Sequence, residues 1–239
     1  MKQISFAQAE HQNKKKVTRR ERFLAQMEVL VPWQRLIDAL WPSSHRPGRM
    51  LRIYFLQQWY ALADEALEDA IYDSQAMRDF VGIDLAIESV PDATTLLRFR
   101  HLLEKHALTQ RIFEEINAHL AEQGLFMREG TIVDATIVAA APSTKNKAKQ
   151  RDPEMKQTKK GNQWYFGMKA HIGVDAVTGL THRVAATSAN VADVTMTSEL
   201  VRDDDKRVYG EGAGQEPGAA IQPVRAGQSG AGGTMRRTR

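Results

Sequence analysis

The sequence has 239 residues, 42% of them hydrophobic and 26% charged, and its 33 lysines and arginines against 29 aspartates and glutamates give a net charge of +4. This composition is typical of a globular protein and excludes a collagen-like or disordered chain. No apolar run of 18 residues predicts a membrane span, and the absence of cysteine excludes a disulfide framework and thiolate metal ligands.

Residues 1–124 have the periodicity of a helical region. After a polar arm over 1–20, the apolar spacing predicts helix from Arg22 to Leu40, broken at Val31-Pro32. Residues 50–62 are strongly apolar and aromatic, which predicts a buried core helix. Residues 63–81 predict one or two further helices ending at Gly82.

The next predicted helix has a basic outer face. Asp92 is a suitable N-cap, and Leu96, Phe99 and Leu103 form its core stripe. The opposite stripe is polar and basic and consists of Thr94, Arg98, His101 and Lys105. This face is typical either of a DNA recognition helix or of a solvated surface, and the helix alone favours the solvated surface. Residues 107–123 predict another amphipathic helix.

The pattern changes to strands after Gly124. Residues 130–138 are rich in β-branched side chains and predict a strand, followed by a basic loop over 142–162. Residues 163–175 and 180–187 predict a hairpin. Asn190 is expected to cap a helix running to about Arg202, before a fourth strand that begins near residue 207. The predicted order is β-β-β-α-β.

Alternation along the strand 163–175 predicts two faces. Phe166, Met168, Ala170, Ile172 and Val174 point one way, whereas Tyr165, Lys169, His171 and Asp175 point the other. We interpret His171 as a proton carrier, a phosphate contact or, by preference, a simple surface histidine. Trp164 and Tyr165 are either base-stacking residues or, as is commoner, buried aromatics.

Asp134 is the most informative single residue because it lies between Val133 and Ala135 in an apolar strand. A buried carboxylate is costly unless it is paired, hydrogen-bonded or bound to metal. Asp134 is therefore a candidate catalytic residue and metal ligand. An exposed strand end or a lysine partner would also explain it. A two-metal phosphoryl-transfer site needs further carboxylates nearby.

Basic residues concentrate in two segments. Residues 1–22 carry seven lysines and arginines, and residues 143–171 carry eight. Such clusters favour contact with a polyanion, and we expect double-stranded DNA. Besides the stripe of Thr94 to Lys105, the candidate DNA-binding residues are Lys14, Lys15, Lys16, Arg19, Arg20, Lys145, Lys147, Lys159, Lys160, Trp164, Lys169 and His171.

Several ordered stretches resemble a known family. Residues 130–136 read Gly-Thr-Ile-Val-Asp-Ala-Thr, residues 151–155 read Arg-Asp-Pro-Glu-Met, and a long match covers 157–175. Residues 50–53, 96–104 and 189–194 match as well. Together they resemble bacterial insertion-sequence transposases of the fifth insertion-sequence family, over about residues 5–209.

The resemblance implies a fold and an activity. It implies an α + α/β chain: a helical N-terminal DNA-binding domain over 1–124, which binds terminal inverted repeats, and an incomplete ribonuclease-H-like catalytic domain over 125–209. Such enzymes cut and join DNA with Mg²⁺, or Mn²⁺, held by two Asp and one Glu, of which Asp134 resembles the first. The implied partners are terminal-repeat and target DNA, and a homo-oligomer or a mixed oligomer with intact transposase. We expect no membrane contact and a bacterial cytoplasmic location, at the nucleoid when bound to DNA.

The sequence departs from the family after Gly210. Glu211 falls where the second Asp would be, and residues 210–239 form a Gly-, Ala- and Arg-rich tail that we expect to be disordered. A frameshift or truncation would explain this tail, and would leave the chain inactive alone. The alternatives are a DNA-binding remnant that occupies element ends and inhibits an intact transposase, or a poorly folded product.

Overall fold

The protein forms two compact units, divided between Glu122 and Gln123. The computed structural model describes residues 14–41, 48–142 and 150–210 and the backbone of residues 220–221. The first unit is helical and the second contains a mixed sheet, so the α+β composition predicted from the sequence is confirmed. No helix in the described ranges is long and apolar enough to cross a membrane.

The helical unit contains helices separated by short turns. Their bounds are α1 Arg19–Leu30, α2 Trp33–Leu40, α3 Gly48–Tyr60, α4 Asp64–Asp73, α5 Gln75–Val81, α6 Ala93–Lys105 and α7 Leu108–Glu122. The predicted break at Val31-Pro32 separates α1 from α2. Gly82, at φ +74°, ends α5 in the left-handed conformation that glycine adopts readily. The Asp92 side chain accepts the Thr95 N–H at 2.7 Å and caps α6.

Helix α3 is the centre of the helical unit. Ile53 and Leu56 pack into one apolar cluster with residues of α4 and α5, whereas Leu51 and Phe55 pack into a second cluster with residues of α2, α6 and α7. A fully buried leucine contributes about 1.5–3 kcal/mol relative to an exposed one. The predicted core helix is therefore confirmed.

The sheet unit contains strands and one helix within its described residues. Their bounds are β1 Thr131–Ala139, β2 Lys156–Lys160, β3 Gln163–Asp175, β4 Thr181–Ser188, α8 Asp193–Leu200, β5 Val208–Gly210 and β6 Ala220–Ile221. The path across the sheet is β2-β3-β1-β5-β6, and β4 also pairs with β3. The long β3 strand is antiparallel to β1, β2 and β4, whereas β5 is parallel to β1.

The two faces of the sheet differ in what covers them. The covered face carries the odd-numbered residues of β1 and β3, and α8 packs against it. Gly173 permits this packing, because a Cβ there would lie 2.5 Å from the Leu200 carbonyl oxygen. The open face carries the even-numbered residues of both strands. Ile132 and Val138 on β1 are 40% and 56% exposed there.

Two local predictions for this unit are wrong. Residues 156–160 form strand β2 rather than loop, so the observed order is β-β-β-β-α-β as far as Gly210, with β6 after it. The N-cap of α8 is Ala192, not Asn190, whose side-chain oxygen accepts the Ser188 hydroxyl at 2.6 Å instead. The helix also ends at Leu200, before Arg202.

Candidate functional site

Asp134 lies on the open face in the middle of β1. Its side chain is exposed, and its Oδ1 accepts the Ala135 N–H at 2.7 Å. Ile172 of β3 is its cross-strand neighbour on the same face. Of the alternatives that the sequence leaves open, burial does not apply to Asp134, because strand alternation places Val133 in the core and Asp134 in solvent. This position leaves the carboxylate accessible to a ligand.

The neighbouring strand β5 ends just before the level of Asp134. The parallel register pairs Ile132 with Tyr209 and Val133 with Gly210, so the next step of the ladder would stand beside Asp134. Glu211 and the predicted tail lie outside the described residues, except for the β6 backbone at 220–221. Within the described ranges, no group of three or more His, Asp or Glu residues could hold a metal ion. These residues thus supply one carboxylate and do not by themselves fit a two-metal site.

His171 is buried on the covered face. Its side chain is fully inaccessible, and its Nε2 lies 2.8 Å from the Thr187 hydroxyl. Its Nδ1 lies 3.8 Å from the Asp193 carboxylate. Burial lowers the pKa of His171, and the Asp193 charge opposes that shift. The expectations of a surface histidine and a DNA contact are wrong, because β3 directs odd-numbered side chains towards α8.

Lys169 lies beside His171 on the covered face and shares its neighbour Asp193. Its ammonium donates to the Val191 carbonyl at 2.7 Å and to Asp193 at 2.8 Å, and its side chain is only 12% exposed. The lysine therefore joins β3 to the start of α8. This contradicts its expected role in DNA binding, because the charge is already neutralised inside the protein.

A buried ionic network lies at the C-terminal end of β3, on the covered face of the sheet. Asp175 accepts the backbone N–H groups of Met127, Arg128, Val177 and Thr178 at 3.0–3.2 Å. Asp175 also accepts a hydrogen bond from the Arg202 guanidinium at 3.0 Å, and the same guanidinium donates to Asp205. Burial raises the pKa of Asp175, but these hydrogen bonds outweigh it and hold the pKa well below its usual range.

Only part of this network has a signal in the local sequence. The Asp175 carboxylate accepts hydrogen bonds from Val177 and Thr178 in the turn between β3 and β4, and residues 175–179, Asp-Ala-Val-Thr-Gly, carry a recognisable turn signal. Its bond to Arg202, 27 residues away, has no comparable local signal. The network fixes the sheet rather than forming a reactive site, because Asp175 is fully inaccessible.

The basic stripe of α6 is exposed as predicted. Thr94, Arg98, His101 and Lys105 all lie on the solvent side, opposite the buried core stripe. At the start of α1, Lys15, Lys16, Arg19 and Arg20 are also exposed. Two basic residues of this segment have partners within the protein, including the exposed Arg20. Lys14 pairs with Glu21, and the Arg20 guanidinium lies 5.5 Å from the centre of the Tyr60 ring.

The second basic segment is only partly described. Lys145 and Lys147 lie outside the described residues. Lys159 and Lys160 are exposed on β2, and Trp164 at the start of β3 is 65% exposed. The interpretation of Trp164 as a buried aromatic is therefore wrong, and its ring is available for stacking.

Two segments of the chain match known families. Residues 11–102 match a transposase domain (DUF772), and residues 125–215 match a transposase DDE domain. No solved structure matches the chain. A helical unit followed by a sheet unit, each matching a transposase domain, defines an enzyme class that cleaves DNA and transfers its strands. The chain belongs to the insertion-sequence DDE transposases.

Proposed function

We propose that the chain is a transposase polypeptide of the fifth insertion-sequence family, with Asp134 as the first carboxylate of its catalytic set. The observation that carries this proposal is the exposed position of Asp134 on β1, beside the parallel strand β5. The order of strands also supports a ribonuclease-H-like fold for the sheet unit. The expected ions are Mg²⁺ or Mn²⁺, which prefer carboxylate oxygens.

We further propose that the helical unit binds the terminal inverted repeats of the element, in the bacterial cytoplasm. Its support is charge and exposure: Arg98 and Lys105 on α6 and Arg19 on α1 all reach solvent. Cations in such positions bind phosphates and give affinity without sequence specificity. Sequence reading would then depend on the polar side chains of the α6 stripe.

Alone, the chain is proposed to be inactive in strand transfer. A two-metal site needs clustered carboxylates, and the described residues contain no group of three or more side chains that could hold a metal ion beside Asp134. The transposase DDE match extends to residue 215, but residues 211–215 read Glu-Gly-Ala-Gly-Gln and lack the motif that the resemblance implies for the second Asp. A frameshift predicts that another reading frame continues the family sequence after the Tyr209 codon.

A strand-transfer assay tests the proposed activity. The purified chain is incubated with Mg²⁺ or Mn²⁺ and DNA carrying the terminal repeats of its element, with Asp134→Ala as the paired variant. We expect no joined product from either protein. Joining by the parent chain that Asp134→Ala abolishes would disprove the inactivity and support Asp134 as a catalytic residue.

A second candidate function is inhibition of an intact transposase. The folded helical unit favours it, because a DNA-binding unit with its own core can occupy element ends without catalysis. Adding this chain to a reaction of an intact transposase should reduce joining in proportion to the terminal repeats that it covers. Excess terminal-repeat DNA should restore the reaction. Inhibition that persists in excess DNA would indicate mixed oligomers instead.

A further inference from the structure

Strands β2 and β3 extend beyond the rest of the sheet as a two-stranded ribbon, residues 156–166. Strand β1 ends at Ala139, opposite Gly167, and β4 ends at Ser188, opposite Met168. Residues 163–165 of β3 therefore pair only with β2 among the described strands, whereas the Phe166 carbonyl also accepts the Ala140 N–H at 2.8 Å. Gly161, at φ +62°, forms the tight turn at the tip.

The ribbon has two chemically different sides. Directly paired residues of antiparallel strands point to the same side, and the register pairs Lys159 with Trp164 and Gln157 with Phe166. Lys160 pairs with Gln163, on the other side. The Arg151 guanidinium lies 5.3 Å from the centre of the Phe166 ring, which adds a second cation near the Lys159 side.

The side with Lys159 and Trp164 continues the open face that carries Asp134. Asp134 pairs with Ile172, and the β1–β3 and β2–β3 registers join without a shift at Gly167, at φ +155°. The strand alternation therefore assigns every second residue of β3 from Ile172 back to Trp164 to the same side. The register shift in this part of the sheet is confined to the β3–β4 pairing at Gly173 and Val174, beyond this stretch. Lys160 and Tyr165 point towards the covered face.

We propose that DNA bound at Asp134 runs along the open face to the ribbon, where Lys159 contacts a phosphate and Trp164 stacks on an unpaired base. This inference rests on the proposed function and deepens it. Eight residues of strand separate Ile172 from Trp164, or about 26 Å, which is the length of about eight base pairs.

Charge and exposure favour nucleic acid as the occupant. Within 156–166 there are three lysines and no acid, and Trp164 presents most of its ring to water. Stacking on a base removes that apolar surface from water, and a lysine beside it neutralises the backbone. Of the two lysines expected from the sequence to contact DNA, the proposal keeps Lys159 and excludes Lys160, because the two exposed neighbours point to opposite sides of the ribbon.

The test compares Lys159→Gln with Lys160→Gln as its matched control in the full chain. The probes are a labelled 30-base-pair duplex and the same duplex with a single-stranded extension, in EDTA so that no cleavage occurs. Affinity is measured across a salt series. For Lys159→Gln we expect the slope of log affinity against log salt to fall by about 1. For Lys160→Gln we expect no change in the slope.

Trp164 supplies the second measurement. The other three tryptophans lie in the helical unit, so DNA should quench fluorescence mainly through Trp164, and Trp164→Phe should abolish that change. Trp164→Ala should weaken binding of the extended duplex by about 5- to 100-fold. Unchanged thermal melting in each variant establishes that the fold is intact.

Different results separate the two proposals. If Lys160→Gln lowers the slope as much as Lys159→Gln, or if the quenching survives in Trp164→Phe, the ribbon proposal is wrong while DNA binding stands. If the parent chain binds neither probe at any salt concentration, the proposed DNA-binding function fails together with the ribbon.

Discussion

His171 links the stability of the sheet unit to pH. It is fully buried against Thr187, and burial lowers its pKa below the usual value of about 6.5. Between the pKa of His171 in the folded chain and about pH 6.5, the unfolded chain binds a proton that the folded chain excludes. Stability is therefore full above about pH 6.5 and falls as the pH drops towards the folded-state pKa. His182 in the same unit acts in the same direction, because burial lowers its pKa as well.

The prediction at the residue scale concerns His171→Gln. The substitution removes one titrating group, so the loss of unfolding free energy between pH 7 and 5 should become shallower by up to about 1.4 kcal/mol per pH unit. Urea unfolding of the sheet unit at a series of pH values measures it. His101→Gln, at an exposed position on α6, is the matched control. A slope equal to that of the parent chain would show that His171 is not the responsible group.

At the scale of elements, α6 depends on its cap. The Asp92 carboxylate accepts the Thr95 N–H and both its oxygens lie 3.0 Å from the Thr94 hydroxyl, so it satisfies donors that would otherwise lack a partner. Asp92→Ala should lower the free energy of unfolding of the helical unit by about 0.5–2 kcal/mol. Urea unfolding followed by tryptophan fluorescence measures this, because Trp41 stacks on Phe99 of α6.

Ser89→Ala provides the comparison, since Ser89 is exposed just before the helix. An equal loss in both variants would mean that the decrease does not come from the cap. The same prediction has a consequence for function. Thr94 begins the basic stripe, so fraying of the first turn should weaken DNA binding by the stripe without moving Lys105.

The elements that the sequence predicts well are those with one buried face. The α6 stripe of Leu96, Phe99 and Leu103 repeats at helical spacing because one side meets the core, and β1 alternates for the corresponding reason. Strand β2 has no buried residue, so neither periodicity nor composition distinguishes it from a loop. Its strand geometry comes from pairing with β3, a contact that local sequence does not record.

The sequence likewise indicates the residues of the candidate site but not which of them reach solvent. Asp134 was identified because a carboxylate in an apolar strand is unusual, yet its exposure depends on which face α8 covers. The sequence predicts that His171 and Lys169 contact DNA, because polar residues of a strand are expected to face solvent. They face α8 instead: Asp193 at the start of α8 pairs with Lys169, and the Thr187 hydroxyl of β4 lies beside the His171 ring. A strand pattern defines two faces but not which one is covered.

At the scale of the whole molecule, the two units are stabilised by different interactions. Two large apolar clusters fill the helical unit, whereas the described core of the sheet unit contains the buried apolar residues Val133, Leu200 and Val208. The sheet unit relies instead on buried polar groups, above all Asp175 and its partner Arg202. Hydrogen-bonded ionic networks lose stability when one charge is removed, because the remaining charge is left buried.

We therefore expect the sheet unit to unfold first in urea, and Asp175→Asn to enlarge the difference. Breaking the ion pair with Arg202 should destabilise the sheet unit by about 3–5 kcal/mol and leave the helical unit unchanged. Hydrogen exchange of β1 and β3 amides follows the sheet unit. Tryptophan fluorescence in a Trp164→Phe background follows the helical unit, which contains the other three tryptophans. Asp203→Asn, at an exposed position next to Arg202, should shift neither transition. Coincident transitions that move together in Asp175→Asn would contradict this, because they would show that the two units unfold as one cooperative body.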